Sequence, residues 1–313
     1  MQYGHAYEYI CAVELEKFLS KYVWAKIEST STFAVGMEAW GMLDEETQET
    51  LQKSAKSILQ NLSELEPNLI DAKEKDTLII NIQSDIEGIT GDVRDIVISR
   101  KNQNWEIGIS LKHNHFAVKH SRLSKNLDFC ERWFEGKCSE KYFEKIQPIF
   151  EMLEKEKAKE TKWRDIKNKA EVVYVPVLNA FIDEIKASYE KDKEMPRKMV
   201  EYLLGKYDFY KVISVDVSRL TKIQPFNFRG DLNKPSAKYK PKILVPQSQL
   251  PTRLVNVEMK PGSTNTVEMF LDNGWQFSFR IHSAATLVET SLKFDIQLIG
   301  MPTSIMTINC VWE

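Results

Sequence analysis

Apolar residues at Ile10, Val13, Leu15 and Phe18 recur with a spacing that predicts an amphipathic helix over residues 8–24. A second helix is predicted over 44–65, with Leu51, Ala55, Ile58, Leu59 and Leu62 on one face. Asp44 stands at its start, where a negative charge meets the positive end of the helix dipole. Beyond it the period falls to two. Thr77-Leu78-Ile79-Ile80-Asn81-Ile82 reads as a strand, Asp95 opens the β-branched run Ile96-Val97-Ile98, and Ile107, Ile109 and Leu111 alternate with Gly108, Ser110 and Lys112. The polar segment 100–104 predicts a hairpin turn between the last two strands. Asp95 then lies near the far end of one strand and Lys112 near the far end of its antiparallel neighbour.

Residues 125–192 are mostly helical by pattern, and the charge run 154–160 reads as an exposed helix face carrying opposite-sign neighbours. After Met195-Pro196 the character changes to strands and proline-marked loops. The stretch 234–246, with Pro235, Pro241, Pro246 and four lysines, predicts an extended loop, either tracking phosphates or serving as a plain connector. A hairpin closes the pattern: 267–271, then Asp272-Asn273-Gly274, then 275–282, with Asn-Gly supplying the positive φ of a tight turn. Trp275, Phe277, Phe279 and Ile281 share the expected core face. Gln276, Ser278, Arg280 and His282 share the other, as a solvent-facing ladder or as a major-groove reader in which arginine pairs with guanine.

An acid and a lysine delivered to one spot suit phosphodiester hydrolysis. The carboxylate holds a divalent metal that polarises the phosphate, and the lysine orients the attacking water. The order Asp95, then Ser110-Leu111-Lys112 with sixteen residues between the acid and the lysine, resembles the PD-(D/E)xK nuclease core, with Ser110 where that motif usually has a second acid. Serine is a poor metal ligand, so another carboxylate has to come from elsewhere. Glu106 shares a face with Lys112, but four residues from Ser110 at about 3.3 Å each is roughly 13 Å, too far for one site. Glu8 on the first helix is the better candidate, against its plain reading as a solvated helix acid. Asp92 competes with Asp95, which is preferred because it directly precedes the apolar run.

The segment after Lys112 is strongly basic. Between 98 and 127, Arg100, Lys101, Lys112, Lys119, Arg122 and Lys125 face one acid, Glu106, and three of the five histidines, His113, His115 and His120, fall here. With Asn114, this composition suits phosphate positioning and base-edge readout. The block Ile107-Gly108-Ile109-Ser110-Leu111-Lys112-His113-Asn114-His115-Phe116-Ala117-Val118-Lys119-His120-Ser121-Arg122-Leu123-Ser124 resembles the active-site block of HaeIII-like type II restriction endonucleases. Two further blocks are similar to that family: Tyr202-Leu203-Leu204-Gly205-Lys206-Tyr207-Asp208-Phe209-Tyr210-Lys211, and Gly274 to Ala285 with its continuation Ser291 to Gly300.

The resemblance implies a Mg²⁺-dependent enzyme that cuts both strands of double-stranded DNA at a short palindrome, GGCC if this member keeps the specificity of the family name. Carried over position by position, Asp95 and Lys112 match the catalytic acid and lysine. Ser110 matches the substituted acid position, and Glu8 an N-terminal helix glutamate that joins Asp95 as metal ligand. His113, Asn114, His115, Lys119, His120, Arg122, Arg280 and His282 are the implied DNA contacts. A homodimer on DNA and a protective DNA methyltransferase complete the implied restriction-modification system.

Composition changes the picture only in its distribution. Hydrophobic residues at 42% and aromatics at 11% mark a globular chain rather than a disordered one, and a net charge of −2 is unpromising for a DNA binder. Yet residues 44–76 hold nine acids and four lysines, while 219–260 hold nine bases and two acids, so a near-neutral chain can carry a cationic cleft. Cysteines at 11, 130, 138 and 310 have neither paired metal spacing nor scaffold density. With no signal pattern and no apolar run of membrane length, the expectation is a soluble, cytoplasmic protein with reduced thiols.

The predicted fold is α/β: a restriction-endonuclease-like mixed-sheet core flanked by helices, with a strand-rich C-terminal part. Residues 1–193 are expected to form the nuclease core with N-terminal and inserted helices. Residues 194–313 are expected to form a recognition part packed on it. Two readings compete. Ser110 motivates a DNA-binding protein whose nuclease centre has decayed. His113, His115 and His120 with Cys130 or Cys138 motivate a zinc protein, although no second ligand pair has metal spacing.

Overall fold

A computed structural model describes residues 2–72, 76–84, 91–114, 117–283 and 285–313, without the side chains of Gln2, Lys101, Ala117 and His120. Lys73 to Lys75 of the acidic run, His115 and Phe116 of the basic block, and Ala284 lie outside the described residues. In chain order the helices are α1 (Gln2–Leu19), α2 (Ser31–Gly41), α3 (Glu45–Ser57), α4 (Leu59–Leu65), α5 (Phe129–Phe134), α6 (Glu140–Ala158), α7 (Val175–Lys191) and α8 (Met195–Leu204). The strands are β1 (Trp24–Ile27), β2 (Thr77–Ile82), β3 (Ile96–Arg100), β4 (Trp105–His113), β5 (Ala117–Ser124), β6 (Phe209–Val215), β7 (Leu220–Phe226), β8 (Leu254–Met259), β9 (Thr266–Leu271), β10 (Gln276–His282), β11 (Ser291–Gly300) and β12 (Ile308–Val311).

The fold is mixed α/β, and the chain divides into two compact units, each assembled from separate segments. The first comprises 1–116, 205–248 and 303–313, and the second 117–204 and 249–302. The boundary expected at 193/194 falls inside the second unit.

In the first unit a seven-stranded mixed sheet runs β1-β2-β3-β4-β6-β7-β12. β3 and β4 form the expected antiparallel hairpin, in register Ile96↔Ile109, Val97↔Gly108 and Ile98↔Ile107. Its turn is the short 3-10 segment Lys101–Gln103. β4 then pairs in parallel with β6, setting Ser110 opposite Lys211 and Lys112 opposite Ile213. Helix α1 packs on β1, β2 and β4. Ile10 and Leu15 are buried in the shared core, with Val13 and Phe18 packed at its margin. Each such buried aliphatic side chain contributes about 1.5–3 kcal/mol.

Two boundaries differ from expectation. The first helix ends at Leu19, and Trp24–Ile27 becomes an edge strand parallel to β2, because sheet pairing outweighs the helical spacing there. The second predicted helix is interrupted at Ile58, although Leu51, Ala55, Ile58, Leu59 and Leu62 are all buried. Its start is as expected: the Asp44 carboxylate accepts the Thr47 N–H at 2.8 Å and caps α3.

Arg100, counted among the free cations of the basic block, is instead buried. Its guanidinium donates to the Asn68 and Asp71 carbonyls and pairs with Asp76 at 3.2 Å. The proline-marked loop also leans on its own unit. Lys234 pairs with Asp231, Lys242 with Glu64, and Lys238 donates to the Ala72 carbonyl.

The second unit is built on the antiparallel sheet β5-β11-β10-β9-β8. Asn273 and Gly274 take the positive φ values, 56° and 89°, that the turn between β9 and β10 requires. Trp275, Phe277, Phe279 and Ile281 are fully buried. Trp133 stacks on Phe279 and Phe294, and Phe181 meets the same two rings, so α5 and α7 close over the inner face of this sheet.

Candidate active site

The β3–β4 register carries Asp95 one step beyond the Ile96↔Ile109 pair, to the position across from Ser110. Its backbone N–H donates to the Ile109 carbonyl at 2.8 Å and its carbonyl accepts the Gln83 N–H at 2.9 Å, which fixes the residue although it stands outside the strand proper. Oδ2 of Asp95 accepts the Ser110 hydroxyl at 3.3 Å, the Leu111 N–H, and the Lys112 ammonium at 3.2 Å. Strand alternation explains the grouping: Ser110 and Lys112 share one face of β4, while Ile107, Ile109 and Leu111 fill the core on the other.

Glu8 reaches the same place from α1. Burial and the Asp95 carboxylate push its carboxyl up to about 7, while His5 and the Lys112 ammonium pull it down. The His5 imidazole lies 3.3 Å from Glu8 Oε2. Two carboxylates thus crowd one lysine, an arrangement that favours either a retained proton or an added cation. The donors are hard oxygens, two carboxylates and a hydroxyl, which fit an ion such as Mg²⁺ that takes one or two protein carboxylates and completes its shell from water and phosphate.

Asp92 and Glu106, the other acids weighed from sequence, are engaged elsewhere. Both bind Arg94, whose guanidinium lies 2.7 Å from each and stacks 4.0 Å over the Tyr207 ring. Arg94 passes so close to Gly108 that a Cβ there would stand 1.9 Å from its Cδ.

Two neighbours of the centre were missed in the sequence. Lys211 is buried opposite Ser110, and burial together with the Lys112 charge lowers its ammonium to about 8. Asp216, just past β6, binds the His113 Nε2 and the Asn114 amide, each at 2.7 Å, and its own N–H donates to Asn114 Oδ1 at 3.0 Å. The Tyr3 and Tyr7 rings of α1 flank His113 at 6.1 and 6.3 Å. Lys211 was visible at the end of the Tyr202–Lys211 block, yet only the parallel pairing sets it across from Ser110. Asp216 carried no local signal at all.

In the second unit, the Lys119 ammonium donates to the Tyr202 carbonyl at 3.2 Å and sits 3.6 Å over that ring, and burial lowers it to about 8. Arg122 is exposed and donates to Ser291 Oγ at 2.7 Å. Arg280 is 53% exposed and meets its cross-strand partner Asp295 at 3.3 Å. His282 lies on the same face of β10, its Nδ1 at 3.4 Å from the Ser283 carbonyl. His120 pairs through its backbone with Asp295 in the β5–β11 ladder. Of the three histidines of the zinc reading, His113 is spent on Asp216, while His115 and the side chain of His120 lie outside what is described.

Comparison with known proteins shows the family. Residues 4–302 match the sequence profile of the HaeIII restriction endonuclease. Over 311 residues the chain is 49% identical to the type II restriction enzyme HaeIII of Haemophilus aegyptius, covering 99% of this chain and 97% of that protein. No solved structure gives a significant match. A match along nearly its whole length makes this chain a member of the HaeIII restriction endonuclease family.

Proposed function

We propose that this type II restriction endonuclease cleaves both strands of double-stranded DNA at a short palindrome, GGCC by its relationship to HaeIII, with Mg²⁺ as cofactor. The observation that carries the reading is the meeting of Asp95, Lys112 and Glu8 at one partly open point. Asp95 and Glu8 would hold the ion. When bound it polarises the scissile phosphate and acidifies a water.

The protein's own groups do the rest. Ser110 and the Leu111 N–H hold the Asp95 carboxylate by one oxygen, Oδ2. Lys112 orients the attacking water and offsets negative charge growing on the phosphate. As a carboxylate, Glu8 would serve the ion in place of the acid that Ser110 replaces, so that position would be compensated by an acid from another element.

His113, Asn114, His115, Lys119, His120, Arg122, Arg280 and His282 are the proposed DNA contacts. Arg280 and Arg122 have the most open guanidinium groups of the set, and Arg280 lies beside a carboxylate that orients its fork for a guanine edge. The recognition role of the strand-rich C-terminal part rests on that ladder. Symmetric cutting implies a homodimer on DNA, and restriction in the cytoplasm implies a methyltransferase that protects the host. Among the described residues no helix is long and apolar enough to cross a membrane.

Digestion of sequenced plasmid DNA with Mg²⁺ or with EDTA, followed by end-mapping, tests this reading. Discrete Mg²⁺-dependent fragments ending at one palindrome are expected. DNA that shifts on a gel but stays intact would favour the non-cleaving binder and point to Ser110 as its cause.

A further inference from the structure

Away from the carboxylate–lysine centre, the second unit gathers a different set of donors. Asp128 caps the start of α5, Cys130 lies in its first turn, and Cys138 and Tyr142 stand on either side of Ser139, the cap of α6. The Cys130 and Cys138 sulfurs are 3.1 Å apart, and a carboxylate oxygen of Asp128 lies within 4.8 Å of both. Both thiols and the Tyr142 side chain are buried. The Tyr142 hydroxyl makes no hydrogen bond, an arrangement that native interiors avoid unless something else occupies the space beside it.

Burial first, then the Cys138 and Cys130 sulfurs and the Glu184 and Asp128 carboxylates, push the Tyr142 phenol far above its usual range. The Cys138 thiol is pushed far up by its hydrogen bond to Cys130, by burial and by Asp128. Two thiols and a carboxylate therefore face one another inside the protein. A cation suits such a set, because coordination deprotonates a thiol outright and cancels its charge.

We propose that Asp128, Cys130 and Cys138 form a structural site for one thiophilic divalent cation of the Zn²⁺ type. Two sulfurs favour such an ion over Mg²⁺, which takes oxygen ligands. Thiolates about 2.3 Å from a tetrahedral ion stand about 3.8 Å apart, so the pair has to open by about 0.7 Å from its 3.1 Å separation. Asp128 is already oriented: its oxygens accept the Glu131 and Cys138 N–H groups at 3.1 Å and keep lone pairs for a metal. Binding releases the two thiol protons to solvent and forms two metal–sulfur bonds. It ties the cap of α5 to the residue before the cap of α6, fastening the turn in which Glu135 takes a positive φ of 59°.

The test uses the full chain, purified under reducing conditions, stripped with a chelator and titrated with Co²⁺ while the absorption spectrum is followed. One equivalent is expected to produce an intense near-ultraviolet thiolate-to-cobalt band that Zn²⁺ displaces. The band should vanish in Cys130→Ser and Cys138→Ser and persist in Asp95→Asn, which separates it from any ion at the nuclease centre. Absence of the band in the folded wild type, or its survival in both cysteine variants, would overturn the site. So would a mass lower by two hydrogens with no metal bound, since that identifies a disulfide instead. Should the cysteine variants fail to fold, Asp128→Asn keeps a capping oxygen and is expected to weaken Co²⁺ binding about tenfold or more; unchanged affinity would remove the carboxylate from the site.

Discussion

The Lys112 ammonium stands 3.2 Å from Asp95 Oδ2, an ion pair made across two antiparallel strands, with the two side chains 28% and 24% exposed. A pair sealed in the core would serve packing alone. This one is held by the sheet yet remains partly exposed to solvent.

Lys112→Ala should therefore abolish cleavage while leaving specific DNA binding largely intact. Parallel cleavage and gel-shift measurements check this. Retained cutting would remove Lys112 from the mechanism, and lost binding would make it a substrate anchor rather than a positioner of water.

Arg94 is wedged between Asp92 and Glu106 and leaves no room for a side chain at Gly108. Gly108→Ala has to displace the guanidinium and strand Asp92 inside the protein, so it should cost about 3–5 kcal/mol of stability. Urea denaturation of the variant reads that loss. A cost below about 1 kcal/mol would mean that the arginine has another resting place.

Glu66 is buried at the end of α4, where it accepts the Tyr210 hydroxyl at 2.6 Å and the Asn233 N–H. Burial raises its carboxyl from 4.5 to about 7, against the pull of those two bonds. A folded-state value above the unfolded one contributes stability that is fully present below the unfolded value and lost as pH rises through about 7. At about 1.4 kcal/mol per unit, the loss is on the order of 3 kcal/mol. Stability compared between about pH 4.5 and pH 8 should fall in the wild type, and Glu66→Gln should flatten that part of the profile. An identical profile in the variant would assign the dependence to other groups.

Arg280→Ala should relax discrimination at one base position by about 1–3 kcal/mol. Cleavage rates on single-base variants of the recognised site measure this. Uniform weakening on every sequence would make Arg280 a phosphate contact.

Much of the architecture was legible locally. The alternation of Ile107, Ile109 and Leu111 with Ser110 and Lys112 determines which side chains share a face, and the polar turn sets the register that takes Asp95 to Ser110. The Asn-Gly hairpin and the buried Trp275-Phe277-Phe279-Ile281 stripe were readable for the same reason: a period of two is a property of the backbone. Helix limits were less readable. Residues 24–27 leave the first helix because β2 offers them a ladder, and no local pattern announces a partner more than fifty residues away.

By itself, then, the sequence determined the family, through three blocks in order, and the acid–lysine pair, through strand periodicity within one hairpin. Which further groups gather around that pair was decided by tertiary structure. Glu8 comes within electrostatic reach of Asp95 because α1 packs on β4, whereas Asp92, nearer in sequence, is claimed by Arg94. Asp216 reaches His113 through the parallel β4–β6 pairing, and Cys130 meets Cys138 where the α5–α6 turn folds back. Periodicity orients neighbours along one element, while burial of apolar faces against one another selects which elements meet, and that selection depends on the whole chain at once.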